Sequence, residues 1–141
     1  MSQQADVKDA LTNAALAVLA DRGFWVVERE NVEIDPAGAA KVARLLFGPA
    51  RPSVLELGPS GSNLHTGILQ INLDYRKGDG DATAQADADA VAAAFPVGSN
   101  VISSGGQGVT IYSAGRDGFG RLVDGWWRVS VTVEWEAILR R

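Results

Sequence analysis

The chain contains no cysteine. That absence removes disulfides, thiolate zinc sites and cysteine nucleophiles together. Histidine occurs once, at His65. A catalytic base or metal ligand needs a positioned partner, and Asn63, Thr66 and the nearby serines form no recognised arrangement around it. His65 is therefore expected in a loop, exposed or at an interface. No apolar run approaches the about 20 residues of a membrane span. The N-terminus, MSQQADVKDALT, lacks a basic region followed by an apolar core, so it does not read as a secretory signal. A protein made and used in a cytoplasm is expected.

Lysine is scarce, three against ten arginines, and the formal net charge is −4. An acidic chain is a poor sequence-independent nucleic-acid binder, because such affinity comes from Lys and Arg neutralising phosphates. The rigid fork of arginine suits interfaces. A GC-rich genome produces the same bias, so it does not decide the matter alone.

At 141 residues, with 46% apolar and 21% charged residues, the chain fits one globular domain, 1–141. A domain of this size buries roughly two thirds of its unfolded surface. Residues 5–22 read as a helix, with Val7, Leu11, Ala14, Ala15, Val18 and Leu19 in one stripe and Gly23 closing it. A short strand or extended lead-in follows at Phe24–Val27, then a loop at Asn31–Gly38. Lys41–Phe47 and Ser53–Leu57 read as strands joined by a Pro-containing connection that must leave the sheet or sit at its edge. Gly58–Thr66 reads as a loop.

Gly67–Phe95 is the clearest stretch. Leu69, Ile71, Leu73 and Tyr75 alternate with Gln70, Asn72 and Asp74, a strand with one apolar and one polar face. Lys77–Gly80 breaks it. Asp81 then caps a helix with Ala84, Ala88, Val91 and Phe95 on one side, stopped by Pro96 and Gly98. Asn100–Ser103 and Val109–Tyr112 suggest a hairpin about a glycine turn, and Ser113–Gly125 a long exposed loop. The final strand alternates Trp127, Val129, Val131, Val133 and Trp135 with Arg128, Ser130, Thr132 and Glu134.

The order α-β-β-β-α-β-β-β, with an extra strand possible near Trp25, implies an α+β fold. Its sheet is largely antiparallel or mixed, of about six strands, with two helices on one face. The expected core is Val131, Val133 and Trp135 against Leu69, Ile71, Val91 and Phe95. If the two alternating strands share a sheet, their polar residues make a broad second face that can line a channel. Trp126 and Trp127 are adjacent, so one faces each side. Trp126 is assigned to the polar side as a candidate interface anchor.

No motif carries catalysis. Gly58-Pro59-Ser60-Gly61 misses the nucleophile elbow. Asp79-Gly80-Asp81 resembles the start of a calcium loop, but Ala84 and Ala90 stand where its glycine and bidentate acid belong. Gly105-Gly106-Gln107-Gly108 lacks the ending of a phosphate loop and reads as a hairpin turn. No enzyme activity and no cofactor are expected.

The Gly67 block, the leading helix, the Asn31-x-x-x-x-Pro36 lead-in, and the closing Trp127–Val133 strand together resemble the tail terminator (tail completion) proteins of long-tailed bacteriophages. The lead-in lacks the aromatic residue the family often carries there. The resemblance implies a structural virion protein, phage- or prophage-encoded and assembled in the host cytoplasm. Such a protein forms a ring, usually a hexamer, on the finished tail tube. It ends polymerisation and presents the surface for head joining. The implied partners are further copies of itself, the tail tube protein and a head-completion or neck protein. DNA passes through without specific binding, and no membrane is involved. Another head–tail connector or minor tail protein, or a small ligand-binding or enzymatic domain, are the alternatives. In the ring setting Trp126, Arg116, Arg121, His65 and Asn63 are candidate interface residues. Asp74, Glu134, Asp79 and Asp81 are candidates for facing the lumen. The loops Gly58–Thr66 and Ser113–Gly125 are expected to be mobile until assembly orders them.

Overall fold

The computed structural model describes residues 3–29, 38–78, 81–102 and 106–140. The Asn31–Pro36 lead-in, Asp79, Gly80 and Gly105 lie outside the described residues.

The elements run α1 (Gln3–Asp21), β1 (Val26–Glu28), β2 (Lys41–Pro49), β3 (Ser53–Val54), β4 (Ser62–Arg76), α2 (Ala82–Ala93), β5 (Asn100–Ile102), β6 (Gly108–Arg116), β7 (Arg121–Val123) and β8 (Trp126–Arg140). Six strands form the path β1-β2-β4-β8-β6-β5, with β3 added beside β4 and β7 beside β8. Among the described residues only the short β1 pairs in parallel, with β2. The α+β class with a mixed, mainly antiparallel sheet therefore holds.

The spine is the pairing of β4 with β8, unbroken from Ser62 opposite Arg140 to Arg76 opposite Trp126. Residues directly opposite on antiparallel strands project to the same face. Leu69 faces Val133, Ile71 faces Val131 and Leu73 faces Val129, so the two apolar alternations coincide. A slip of one residue would turn every one of these side chains to the other face, which pins the register. These residues join Val7, Leu11 and Leu19 of α1 and Ala84, Ala88 and Val91 of α2 in one buried cluster, with Phe95 and Trp135. All seven expected core residues lie in it.

The exit of α1 shows why Gly23 is needed there. Its φ is 81°, reached without strain only by glycine. Phe24 N–H then returns to the Leu19 carbonyl at 2.9 Å and Gly23 N–H to Ala20 at 3.1 Å, the Schellman pattern. Phe24 and Leu19 are both buried.

Two expected loops are largely strand. Ser113–Gly125 contains the end of β6 and all of β7. Asp124 (φ 50°) and Gly125 (φ 83°) form the two-residue turn between the paired Val123 and Trp126. Positive φ at both positions is the type I′ hairpin geometry whose twist matches the strands. Gly58–Thr66 is a loop only as far as Gly61, because β4 begins at Ser62 and takes β3 as a neighbour.

Gly67 is opposite Trp135 in the ladder. A Cβ at Gly67 would lie 2.7 Å from the Trp135 ring and 2.6 Å from the Gly48 carbonyl oxygen. The bare backbone leaves room for the indole, which stacks on Phe47 with centroids 5.3 Å apart.

Candidate functional site

The polar faces of β4 and β8 come together as expected, but they do not form an open solvated surface. Asn72, Asp74 and Ser130 are buried. Asp74 accepts from Arg128 Nε at 2.7 Å and Nη2 at 2.9 Å, and from Arg44 Nε at 2.9 Å. Arg44 also pairs with Glu28. The hydrogen bonds that Arg128 donates to Asp74 are the main reason its guanidinium is held charged even more firmly than usual. Beside this clamp, Ser130 donates to Asn72 Oδ1 at 2.7 Å, Gln70 donates to the same oxygen at 3.0 Å, and Arg121 reaches Ser130 Oγ at 3.3 Å.

A second clamp lies on the helix-bearing side. Asp87 of α2 accepts from Tyr75 Oη at 2.6 Å, Arg22 Nε at 2.9 Å and Lys41 Nζ at 3.1 Å. Lys41 also lies 4.4 Å from the centre of the Phe24 ring. Burial pushes the Asp87 pKa up, but the hydrogen bonds from Tyr75, Lys41 and Arg22 prevail and hold it below the ordinary carboxylate range. Burial, and then Asp87 as acceptor and charge, push the Tyr75 pKa up. The phenol therefore stays protonated and the carboxylate ionised, an arrangement that fastens a helix to the sheet but cannot exchange a proton near neutrality.

The third group is Asp81. It occupies the N-cap position of α2, yet its side chain makes no capping hydrogen bond. Instead it accepts from Trp127 Nε1 at 2.7 Å and Gln85 Nε2 at 2.6 Å. Those two bonds, Trp127 first, hold its pKa low. The expected side-chain cap is thus redirected to the sheet, where Trp127 offers a donor. Gly120 lets its backbone rest on the Trp127 indole, where a Cβ would come within 2.4 Å.

The candidate residues do not assemble into one site. Trp126 is on the polar side as assigned, but it is half-buried with the Arg76 guanidinium 4.3 Å from its ring centre. Arg116 is exposed and pairs with Asp89 of α2 at 3.2 Å. His65 is a correction. It lies within β4 opposite Ala137 and is only 8% exposed, next to Val7, Phe47, Pro49, Trp135 and Leu139. Asn63 sits in the same strand between Val54 and Leu139. Along β4, His65 and Arg76 are separated by about 35 Å of extended chain, so these candidates mark opposite ends of the sheet. Asp74 is a second correction, since a carboxylate with no exposure cannot face a lumen. Glu134 remains partly exposed on the polar side, whereas Asp81 is tied to Trp127 on the helix-bearing side. Asp79 lies outside the described residues. Among the described residues no group of three or more acidic or histidine side chains is placed to hold a metal ion. No helix among them is long and apolar enough to cross a membrane.

A family model for phage tail terminator proteins matches residues 6–135. The chain belongs to that family. It is accordingly a structural component of the phage tail, and the family is not known for catalysis. A solved protein chain that is 21% identical superposes with a TM-score of 0.75, covering 97% of this chain and 96% of its own. At that identity the likeness speaks for the fold. No curated protein matches the chain.

Sequence reasoning passed over the Asp74 and Asp87 clamps and the apolar protrusion at residues 50–60. Asp74 and Arg128 occupy the polar phase of their strands, and that phase was a signal for their pairing. Asp124-Gly125, a strong hairpin dipeptide, was a signal for β7. Nothing local in the sequence pointed to Asp87.

Proposed function

We propose that this tail protein closes the tail tube as a ring of identical subunits, ending tube growth and offering its other side to a head-completion or neck protein. The match to the terminator family over residues 6–135 carries the reading. The surface is suited to it. Leu57, Phe119 and Trp25 are 92%, 93% and 83% exposed, a set of large apolar side chains suited to interfaces between subunits. Subunits assemble in the host cytoplasm, and packaged DNA crosses the finished ring.

A passage for DNA must not grip phosphates. Glu134 and Glu136 share the polar side of β8, and the chain carries a net charge of −4. We place the Glu134–Glu136 end of this side toward the lumen, away from the arginines gathered around Asp74 at the other end, where acids oppose counterion-release binding. Asp74 takes no part, being buried.

The reading is tested by polymerising tail tube protein with and without this chain and measuring tube lengths by electron microscopy. Added protein is expected to give shorter tubes with a ring on one end. Tubes of unchanged length and bare ends would remove the capping role. For the lumen, Glu134→Lys with Glu136→Lys is expected to leave assembly intact and slow DNA ejection.

A further inference from the structure

Residues 50–60 form a protrusion in which every residue is exposed. It is attached through β3 pairing with β4, and through backbone bonds from Ala50 to Thr66 and from Leu55 to Ser62. It displays Val54, Leu55 and Leu57, which are 61%, 51% and 92% exposed. Single exposed apolar residues are ordinary. Three within four positions, on a segment stiffened by Pro52 and Pro59, form an anchor that loses little entropy on docking.

The same chain carries a matching recess. Between α1 and β2 an open groove of about 280 Å³ has Leu45, Phe47 and Leu69 as its floor and Lys8, Asp9, Thr12 and Arg29 at its rim. This is just below the roughly 300–1,000 Å³ of small-ligand pockets, and it suits inserted aliphatic side chains. We propose that Leu55 and Leu57 of one copy enter this groove on the next copy, with Glu56 between them meeting a rim of two cations and one acid. The proposal rests on the ring reading and names the surfaces that build the ring. Protrusion and groove are different surfaces of one chain, so the contact is heterologous. A repeated heterologous contact closes into a ring when its rotation permits. Pro49 leads directly from β2 into the protrusion, so insertion into a chain's own groove is the competing arrangement.

The absence of native cysteine makes the test direct. One population carries Leu57→Cys and a second, differently tagged, carries Thr12→Cys at the groove. After co-assembly on tail tubes and mild oxidation, a disulfide-linked heterodimer is expected from the mixture and from neither population alone. Rings that form, as seen by electron microscopy, without the heterodimer overturn the docking while leaving the ring intact. A chain bearing both substitutions that links only within itself also overturns it. No self-association on tubes removes the ring reading and the docking together. Independently, Leu55→Ser with Leu57→Ser is expected to shift the melting temperature by no more than about 3 °C, since both residues are on the surface. It is expected to weaken assembly about tenfold or more. Wild-type assembly by this variant would overturn the proposal.

Discussion

Asp74 and Asp87 are withdrawn from water to nearly the same degree, and each is held by two cations, yet they fasten different things. The partners of Asp74, Arg44 and Arg128, come from the strands on either side of it within one sheet. The partners of Asp87 come from the end of α1, from β2 and from β4. The first clamp locks strand to strand, and the second locks the helical layer to the sheet. They also differ in access to solvent. The Arg128 and Arg44 side chains are 17% and 22% exposed, whereas Arg22 at Asp87 is 39% exposed. A carboxylate is tolerated inside this protein where geometry supplies cations, and the cost of losing it depends on where those cations can then go.

The sharpest break in the comparison is a third buried carboxylate without a clamp. Val133→Asp places one in the apolar face between Leu69 and Ala114. Because nothing there bonds the acid from β4, we expect a loss of more than about 4 kcal/mol from a total of about 5–15 kcal/mol. A thermal melt unchanged by the substitution would mean that the faces of β8 are reversed.

Removing each native acid follows. Asp74→Ala leaves two largely buried guanidinium groups and is expected to cost about 3–5 kcal/mol. Asp87→Ala is expected to cost about 2 kcal/mol, because Arg22 can turn to water and its pairing is partly screened already. Urea denaturation of the two variants orders them directly, and the reverse order would refute the solvent-access account.

The pH dependence separates Asp87 from a purely packed contact. Its folded pKa is depressed, so its stabilisation is present above the unfolded value of about 4 and is lost as pH falls through the lower folded value. The stability gap between wild type and Asp87→Asn is therefore expected to narrow as pH drops below about 4. A gap constant from pH 7 to pH 3 would show that the carboxylate charge contributes nothing. Smallest is an interlock that uses no charge. Gly67→Ala must displace the Trp135 ring or the Gly48 carbonyl, and a cost of about 1–2 kcal/mol is expected, read as a lower melting temperature.

Alternation made most of the core legible. Leu69, Ile71, Leu73, Val129, Val131 and Val133 announced both strands and their buried face, because a period of two is a local property of the chain. The end of α1 was equally plain from Gly23. The hairpin of β7 escapes a local reading because the glycines of Ser113–Gly125 read as loop, although Asp124-Gly125 is a turn that joins strands. The sequence reads His65 into a loop because Gly58–Thr66 is rich in turn residues, yet β8 extends far enough to pair all of Ser62–Thr66. Tertiary pairing there overrode local propensity.

The two helices, the inward phase of each long strand and the choice of Trp126 for the polar side were determined by the sequence alone, since each depends on neighbours a few residues apart. Which polar residues are buried was decided only by the tertiary structure. Asp74 loses its water because Arg44, 30 residues before it, and Arg128, 54 residues after it, arrive on adjoining strands. Asp87 meets Arg22 across 65 residues of chain. Solvation and ion pairing depend on what the fold brings within a few ångströms, and no periodicity along the chain records that distance.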